Sequence, residues 1–465
     1  MTTSGNSAIE ARTLGVYGSI TDAIGNTPLV KLNSVTNGLA ATVYVKLEYL
    51  NPGGSVKDRV ALSMIQDAEA SGDLRPGGTV VEGTSGNTGV GLAMIAAARG
   101  YRTIVVVPDK TSHEKIALLQ AHGAEVRVTP GGRPSHHPEF VRNVAAGLAK
   151  EISGGWLAGQ YDNPANPAAH RATTGPEIWD QTGGRISHFV AGIGTGGTVT
   201  GTGEYLKDVS GGAVTVIGAD PENSVYGGGD GRAWNMEAVG HFLHPHTETD
   251  EWPNSYRPDV VDLVERVTDL DAITVLHRLA REEGLLMGGS SGIAVAAALR
   301  IARTLGSDEV VVVIAPDSGR SYLSKYYNDD WLGRLGFPLY GKVSDDRVSD
   351  TLHGRYGPFH YVPSSASVST ALELIGSRGS LPVALERPAR GPIPVAEILG
   401  TATASRMRAA PGHHLVTTHL DPPLPTVGLT EPTSTAVLRL AAHTAQAVVT
   451  DAGTAIGLVD ARDIQ

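Results

Sequence analysis

The chain has 465 residues, 41% of them hydrophobic and 18% charged, a formal net charge of -11 and no cysteine. The length suits roughly three units of ordinary domain size, and the missing thiols exclude disulfides, thiolate zinc sites, cysteine nucleophiles and thiolate-ligated haem. An acidic balance without a basic run argues against nucleic acid as a partner, and no apolar run approaches the ~20 residues of a helical membrane span; small molecules are the expected partners.

The N-terminal MTTSGNSAIEARTLG lacks the basic-then-apolar order of a secretory signal, so a cytoplasmic location is expected. From about residue 40 to 335, short apolar runs such as TIVVVP (103–108) and VVVIAPD (311–317) alternate with helical patterns. Such runs suit strands of a parallel sheet covered by helices on both faces, so a doubly wound α/β architecture is expected, with ligands at the loops leaving the carboxyl ends of strands.

The first such loop is NPGGSVKDR (51–59), which leads into a helix whose apolar positions Val60, Ala61, Met64, Ile65 and Ala68 recur at helical spacing. Lys57 then lies near the helix N-terminus, where the positive end of the dipole disfavours an ammonium and helps keep the amine nucleophilic enough for a Schiff base. A solvated lysine paired with Asp58 is the plain alternative. The loops that follow argue against it.

EGTSGNTG (82–89) comes next, after the strand-like TVVE and before a helical run. Thr84, Ser85, Asn87 and Thr88, with free backbone N–H groups at a helix start, make a cradle for a carboxylate; an ordinary N-cap needs one such residue, and this loop carries four. GIGTGGT (192–198) then matches G-x-G-x-x-G, with Asp220 at about the spacing of a ribose-binding acid. A dinucleotide is rejected because the motif lies deep in the chain, and because threonines beside glycines suit one phosphate dianion held by hydroxyls and N–H groups.

GGSSG (288–292) opens another helix, where Ser290 is either a structural cap or a ligand. The histidines of GHFLHPH (240–246) and the pair His136 and His137 invite a metal reading, but Pro245 and the lack of a nearby acid or helical spacing make these loops; no metal is expected.

After Trp331 the texture turns polar and glycine-rich, so a linker is expected over 336–358, between a catalytic part over 1–335 and a C-terminal module over 359–465. In that module residues 360–386 are echoed by 425–464. Each copy runs from a short strand through a Ser/Thr-rich helix start and an amphipathic helix to a valine-rich strand, which marks a tandem pair.

Taken in order, NPGGSVKDR, TSGNTG, GTGGT and GGSSG resemble the fold-type II pyridoxal-phosphate enzymes of the cysteine synthase and cystathionine β-synthase family. The likeness runs from Asn26-Thr27-Pro28-Leu29 to Trp331 and includes Gln160-Tyr161 and Thr174-Gly175-Pro176-Glu177. It implies two doubly wound parallel α/β subdomains, and the C-terminal pair looks like the α+β tandem regulatory module that cystathionine β-synthases carry. On that resemblance pyridoxal 5'-phosphate is the cofactor and Lys57 forms the Schiff base, then moves the Cα proton. Gly194, Thr195, Gly196, Gly197 and Thr198 bind the phosphate, Asn87 meets the ring hydroxyl, and Ser290 faces the pyridine nitrogen. Thr84, Ser85, Thr88 and Gln160 hold the substrate carboxylate. The family also implies a homodimer, and Asp463 matches the acid that grips a ribose, making an adenosyl effector the candidate ligand of the module.

A neutral serine hydroxyl cannot hold the ring nitrogen protonated, so the ring is a weaker electron sink and prompt loss of a β-leaving group is favoured. The implied reaction is β-replacement through an aminoacrylate, in its most specific form L-serine plus L-homocysteine to L-cystathionine. A cysteine synthase, or an enzyme using another nucleophile, is the neighbouring alternative; a non-catalytic nucleotide-sensing scaffold is the alternative of another class. Two departures bear on the choice. Gly83 replaces an expected proline, which predicts a looser turn. Residues 237–243 read EAVGHFL where the family reads Glu-Gly-Ile-Gly-Tyr-Asp-Phe, followed by the insertion HPHTETDEWPNSYRPD (244–259).

Overall fold

The computed structural model of the chain describes residues 16–84, 86–109, 111–247, 249–341, 346–387, 391–440 and 446–464. Two compact units result, Met1–Glu222 with Met236–Ser321, and Asn223–Asn235 with Tyr322–Gln465.

Two sheets make up the first unit. β1 (Leu29–Lys31) and β2 (Thr42–Leu47) begin one of them. The chain then leaves to build the other from β3 (Thr79–Gly83), β4 (Arg102–Pro108), β5 (Glu125–Thr129) and β6 (Gly155–Leu157), ordered β5-β4-β3-β6 with every pair parallel. It returns with β7 (His188–Gly192), β8 (Thr215–Pro221), β9 (Leu263–Val267) and β10 (Val310–Ala315), giving the order β1-β2-β10-β7-β8-β9, parallel except for the β1/β2 pair. The expected doubly wound pair is therefore present.

Helices cover both faces because the strands are apolar on both: β3 is buried at every residue and β10 from Val311 onward. Helix Lys57–Ser71 buries Val60, Ala61, Met64, Ile65 and Ala68, the predicted stripe, against Leu92 and Ile95 of helix Asn87–Arg99. Helix Gly289–Ala302 is enclosed along most of its length and correspondingly apolar, with Ile293, Ala294, Val295 and Ala297 fully buried. Thr84 follows β3, residues 193–196 follow β7 and Pro316 follows β10. Three polar loops are thus delivered at carboxyl ends of parallel strands, where the sheet leaves a crevice.

The second unit contains two segments of the same strand order where the tandem pair is expected. The first copy contains β12 (Val362–Pro363), helix Val368–Ile375, β13 (Ser380–Ala384) and β15 (Ile398–Thr403); the second contains β16 (Thr426–Gly428), helix Thr433–Leu440, β17 (Gln446–Asp451) and β18 (Thr454–Asp460). In each copy the first strand pairs parallel to the second and the second antiparallel to the third. Two short strands, β11 (Gly357–Pro358) and β14 (Ile393–Pro394), add to β18. Pro394 thus joins an edge, where a missing N–H costs no central ladder bond.

The division falls earlier than the boundary expected at residue 335. Tyr322 stacks on Tyr326, Tyr326 meets Trp331 edge-on and Trp331 stacks on Phe337, so these aromatics form one continuous column within the second unit. The stretch 336–358 is also more than a linker. Val348 and Leu352 of helix Val348–Leu352 are buried with Val427, Ala436, Leu440 and Val459. Two apolar residues four apart suffice for the buried face of a single turn, a signal too small to stand out from a polar background.

Candidate active site

Lys57 is the first residue of its helix. The turn before it is pinned to the neighbouring loop by Val56 N donating to Pro316 O at 2.8 Å, while Lys57 N donates to Ser55 Oγ at 3.2 Å. Burial pulls the Lys57 pKa from 10.5 down to about 8, with the Asp317 carboxylate opposing that fall. Asp58 does not take the role of partner. Its Oδ2 accepts from Gly53 N at 2.5 Å, and burial raises its carboxyl to about 7. Gly53 has to be glycine for this turn, since a Cβ would lie 2.5 Å from Asp58 Oδ1.

Beneath Lys57 lies a cluster that joins three motifs of the resemblance. Arg59 Nε and Nη2 donate to Glu48 at 2.7 and 2.8 Å, and its Nη1 and Nη2 donate to Glu177 at 2.7 Å each. Lys46 Nζ donates to Glu177 Oε2 at 2.7 Å and to Thr27 O at 2.7 Å, and Thr27 Oγ1 donates to Glu48 at 2.6 Å. Burial alone would raise Glu177, but Arg59 and Lys46 hold it down to about 2. Thr27 of the NTPL motif and Glu177 of the TGPE motif therefore anchor the lysine's helix.

In the carboxylate loop, Thr84 N donates to Val106 O at 2.9 Å and Thr84 Oγ1 accepts from Gly86 N at 3.1 Å. Ser85 lies outside the described residues. Thr88 Oγ1 donates to Gln160 Oε1, Gln160 Nε2 donates to Glu82 Oε1 at 3.4 Å, and Glu82 Oε2 accepts from Gly159 N at 2.7 Å. Thr88 and Gln160, predicted together, are indeed neighbours. Glu82 beneath them was missed, although it sits at the carboxyl end of β3; burial raises it to about 7.

The loop expected to hold phosphate is shaped by close approach. Gly196 adopts φ +86°, and a Cβ there would come 2.3 Å from Tyr256 Cβ; one on Gly197 would come 2.0 Å from Asn166 Oδ1. Asn166, fully buried, spans the two predicted loops by donating to Gln160 O at 2.8 Å and to Thr195 Oγ1 at 3.0 Å. Thr198 Oγ1 meets His170 Nε2 at 3.1 Å, and His170 Nδ1 meets Thr174 Oγ1 at 2.9 Å. Burial, with Lys57 and Arg59 close by, pushes His170 well below the usual histidine range. A neutral ring then fixes the threonine hydroxyl without adding charge. His170 opens a π-helical turn, His170–Thr174, a distortion often found where a side chain is aimed at a site; neither it nor Asn166 carries a local sequence signal.

Ser290 Oγ is buried and has no hydrogen-bond partner among the described residues. Asn87 Nδ2 donates to Asp317 Oδ2 at 2.7 Å, so the loop after β10 closes on both the lysine and the asparagine. Asp317 was not predicted; its signal was an acid directly beyond the valine-rich VVVIAP. An amine near neutrality, a glycine-threonine loop opening a helix and an unsatisfied hydroxyl fit, in turn, the carbonyl, phosphate and ring nitrogen of pyridoxal phosphate.

A cavity of about 870 Å³ adjoins the carboxylate loop, walled by Glu82, Gly83, Arg142, Tyr161 and His241 among others. The histidine segment is a loop, as predicted, but an acid is at hand: His241 Nε2 lies 2.7 Å from Asp250. Among the described residues no His, Cys, Asp and Glu group could hold a metal. Gly83 serves space rather than looseness, since a Cβ there would lie 2.7 Å from Val141 O. Ala238, where the family has glycine, is held at φ +64°, a left-handed conformation costing about 1–2 kcal/mol.

In the second unit a cavity of about 960 Å³ is lined by Arg378, Ser380, Thr401, Thr403, Asp421 and Asp460 among others. Asp463 is not part of that wall; it sits exposed on the turn Ala461–Asp463.

A family model for pyridoxal-phosphate dependent enzymes matches residues 20–317. A cystathionine beta-synthase of Apis mellifera is 45% identical over 320 residues, 68% of this chain and 63% of its own length. A probable cysteine synthase of Bacillus subtilis is 46% identical over 315 residues, 67% of this chain and 97% of its own. The crystal structure of an O-ureido-L-serine synthase is 40% identical with a TM-score of 0.61, covering 67% of this chain and 94% of that one. This chain thus spans under two thirds of the honeybee relative. No described helix is long and apolar enough to cross a membrane. With these matches over the residues that carry Lys57 and its neighbouring loops, the chain belongs to the pyridoxal-phosphate-dependent enzymes.

Proposed function

We propose that the chain catalyses β-replacement on L-serine or an O-activated serine, with L-homocysteine as the incoming thiol and L-cystathionine as the product. The observation that carries this reading is the cavity beside the carboxylate loop: a second substrate has room of about 870 Å³ next to the place where the first is held. Overall, the Cβ–O bond of serine breaks, a Cβ–S bond forms, and the thiol proton leaves with the hydroxyl as water. Bound pyridoxal phosphate supplies the electron sink that makes the Cα proton acidic.

The chain's own residues do the rest. Lys57 would hold the cofactor and afterwards move the proton at Cα, for which a pKa near neutrality suits it. Residues 194–198 would hold the phosphate, Ser290 the ring nitrogen, and Thr84, Thr88 and Gln160 the substrate carboxylate. Asn87 would reach the ring hydroxyl while its amide stays fixed by Asp317. The C-terminal pair would serve as a regulatory module of a cytoplasmic homodimer.

Product analysis tests the reading. The holoenzyme is expected to form cystathionine from L-serine and L-homocysteine, and Lys57→Ala is expected to lose both this activity and the visible absorbance of the bound cofactor. Turnover of O-acetylserine with sulfide and none of serine with homocysteine would move the assignment to cysteine synthesis. A colourless wild-type protein would sink catalysis altogether.

A further inference from the structure

The cavity continues past Gly83, against which the start of helix Val141–Glu151 packs. There Arg142, the second residue of helix Val141–Glu151, places its guanidinium 4.6 Å from the centroid of the Tyr161 ring and 5.2 Å from that of Phe140. Two aromatic rings restrain the planar group and leave its N–H edges available. Among the described residues Arg142 makes no hydrogen bond and no ion pair.

Several of the other charged residues of the cavity have partners of their own, while Glu251 is exposed. Arg133 pairs with Glu139 at 2.9 Å. Asp250 is held by His241 at 2.7 Å and by Trp252 Nε1 at 2.9 Å, and Asp162 accepts from Asn254 N at 3.1 Å. Glu82, raised to about 7 by burial against the opposing pull of the Arg142 charge, carries only part of its charge at neutral pH. A half-buried, pre-oriented guanidinium with no acid in hydrogen-bond contact among the described residues is a receptor for a planar anion, gripped through two parallel N–H bonds. Glu82, Gly83 and Gly159 belong both to this cavity and to the surroundings of the carboxylate loop, so a molecule anchored at Arg142 is a neighbour of the first substrate.

We propose that Arg142 anchors a carboxylate on the incoming nucleophile, so that the second substrate of this enzyme is a nucleophile bearing an acid group. The proposal rests on the β-replacement reading and specifies its second half. The structural alternative, an arginine that merely packs on two rings, would be indifferent to the charge of the nucleophile.

The experiment compares 3-mercaptopropionate with 1-propanethiol, two thiols of similar reach and reactivity, in reactions of the holoenzyme with L-serine. For the wild type, kcat/KM for the acidic thiol is expected at least about tenfold above that for the neutral one. In Arg142→Gln this ratio is expected to fall by about ten- to a hundredfold, through KM rather than kcat. Arg142→Lys keeps the charge but loses the fork and should fall between. A wild-type ratio near one, or an unchanged ratio in Arg142→Gln, would overturn the proposal.

The parent reading fails separately, if L-serine leaves the absorbance of the holoenzyme unchanged. Calorimetric binding of 3-mercaptopropionate to the holoenzyme then decides the anchor by itself. Binding at least about tenfold tighter to the wild type than to Arg142→Gln upholds it, and equal binding overturns it.

Discussion

In the proposed role Lys57 would have to lose its proton before taking up the cofactor's carbonyl, so the rate of covalent loading onto the apoenzyme would report its pKa. With that pKa at about 8, about one amine in eleven is neutral at pH 7; at the ordinary 10.5 it would be about one in three thousand. The ratio is about 300, from ten raised to the difference between 10.5 and 8. Asp317 works against this, because its carboxylate favours the ammonium. Asp317→Asn removes that charge while keeping the shape, and should lower the lysine by about one unit or more. The assay mixes apoenzyme with pyridoxal phosphate between about pH 6 and 9.5 and follows the visible absorbance. Wild-type loading should rise about tenfold per pH unit and level off at about 8, whereas Asp317→Asn should level off near about 7 and load faster at low pH. The reasoning is refuted if Asp317→Asn levels off at the same pH or higher, or if the wild type loads at a rate independent of pH.

Further outcomes follow from the surrounding groups. Arg59→Met leaves Glu48, which has no exposed surface, facing Glu177 across an empty site; loss of a buried pair of this kind costs about 3–5 kcal/mol. Calorimetry should show a thermal midpoint lower by about 10 °C, and a change of a degree or two would contradict it. Ser290→Ala removes a buried hydroxyl without a partner among the described residues, so the apoenzyme should gain up to about 1–3 kcal/mol while its cofactor binds more weakly. The gap between apo and holo midpoints should narrow, and a destabilised apoenzyme would count against this account. Glu82 is raised from 4.5 to about 7, so the folded state holds this proton more tightly than the unfolded chain. Its contribution to stability is greatest below about 4.5 and is lost as pH rises through about 7, by about 3 kcal/mol. Urea titrations of the apoenzyme at about pH 5 and 8 should show a smaller loss in Glu82→Gln than in the wild type.

Much of the proposed site is readable in the sequence because its parts are local. A lysine at a helix start, four small polar residues in one turn, and threonines between glycines each announce a chemical task within fewer than ten residues. The same holds for the tandem pair, whose strand and helix signals repeat at full strength. The polar stretch 336–358 hid the short helix with Val348 and Leu352, since composition averages away a single buried turn.

What the local pattern could not contain is the partnership between distant segments. Asn87 and Asp317 meet across 230 positions of sequence, and Thr195 and Asn166 across 29. Gly83 is a glycine because Val141 crosses 2.7 Å from where a Cβ would stand, a contact that exists only once the helix after β5 packs back on β3. The amino-acid sequence thus determined which chemistry Lys57 could enter, through groups supplied by its own and neighbouring loops. Tertiary structure decided its pKa, by burying it beside Asp317. It also decided the setting of Arg142, by stacking its guanidinium on Tyr161. Desolvation and charge pairing depend on what fills the surrounding few ångströms, and a chain that leaves one sheet and returns to it fills that space with residues far apart in sequence.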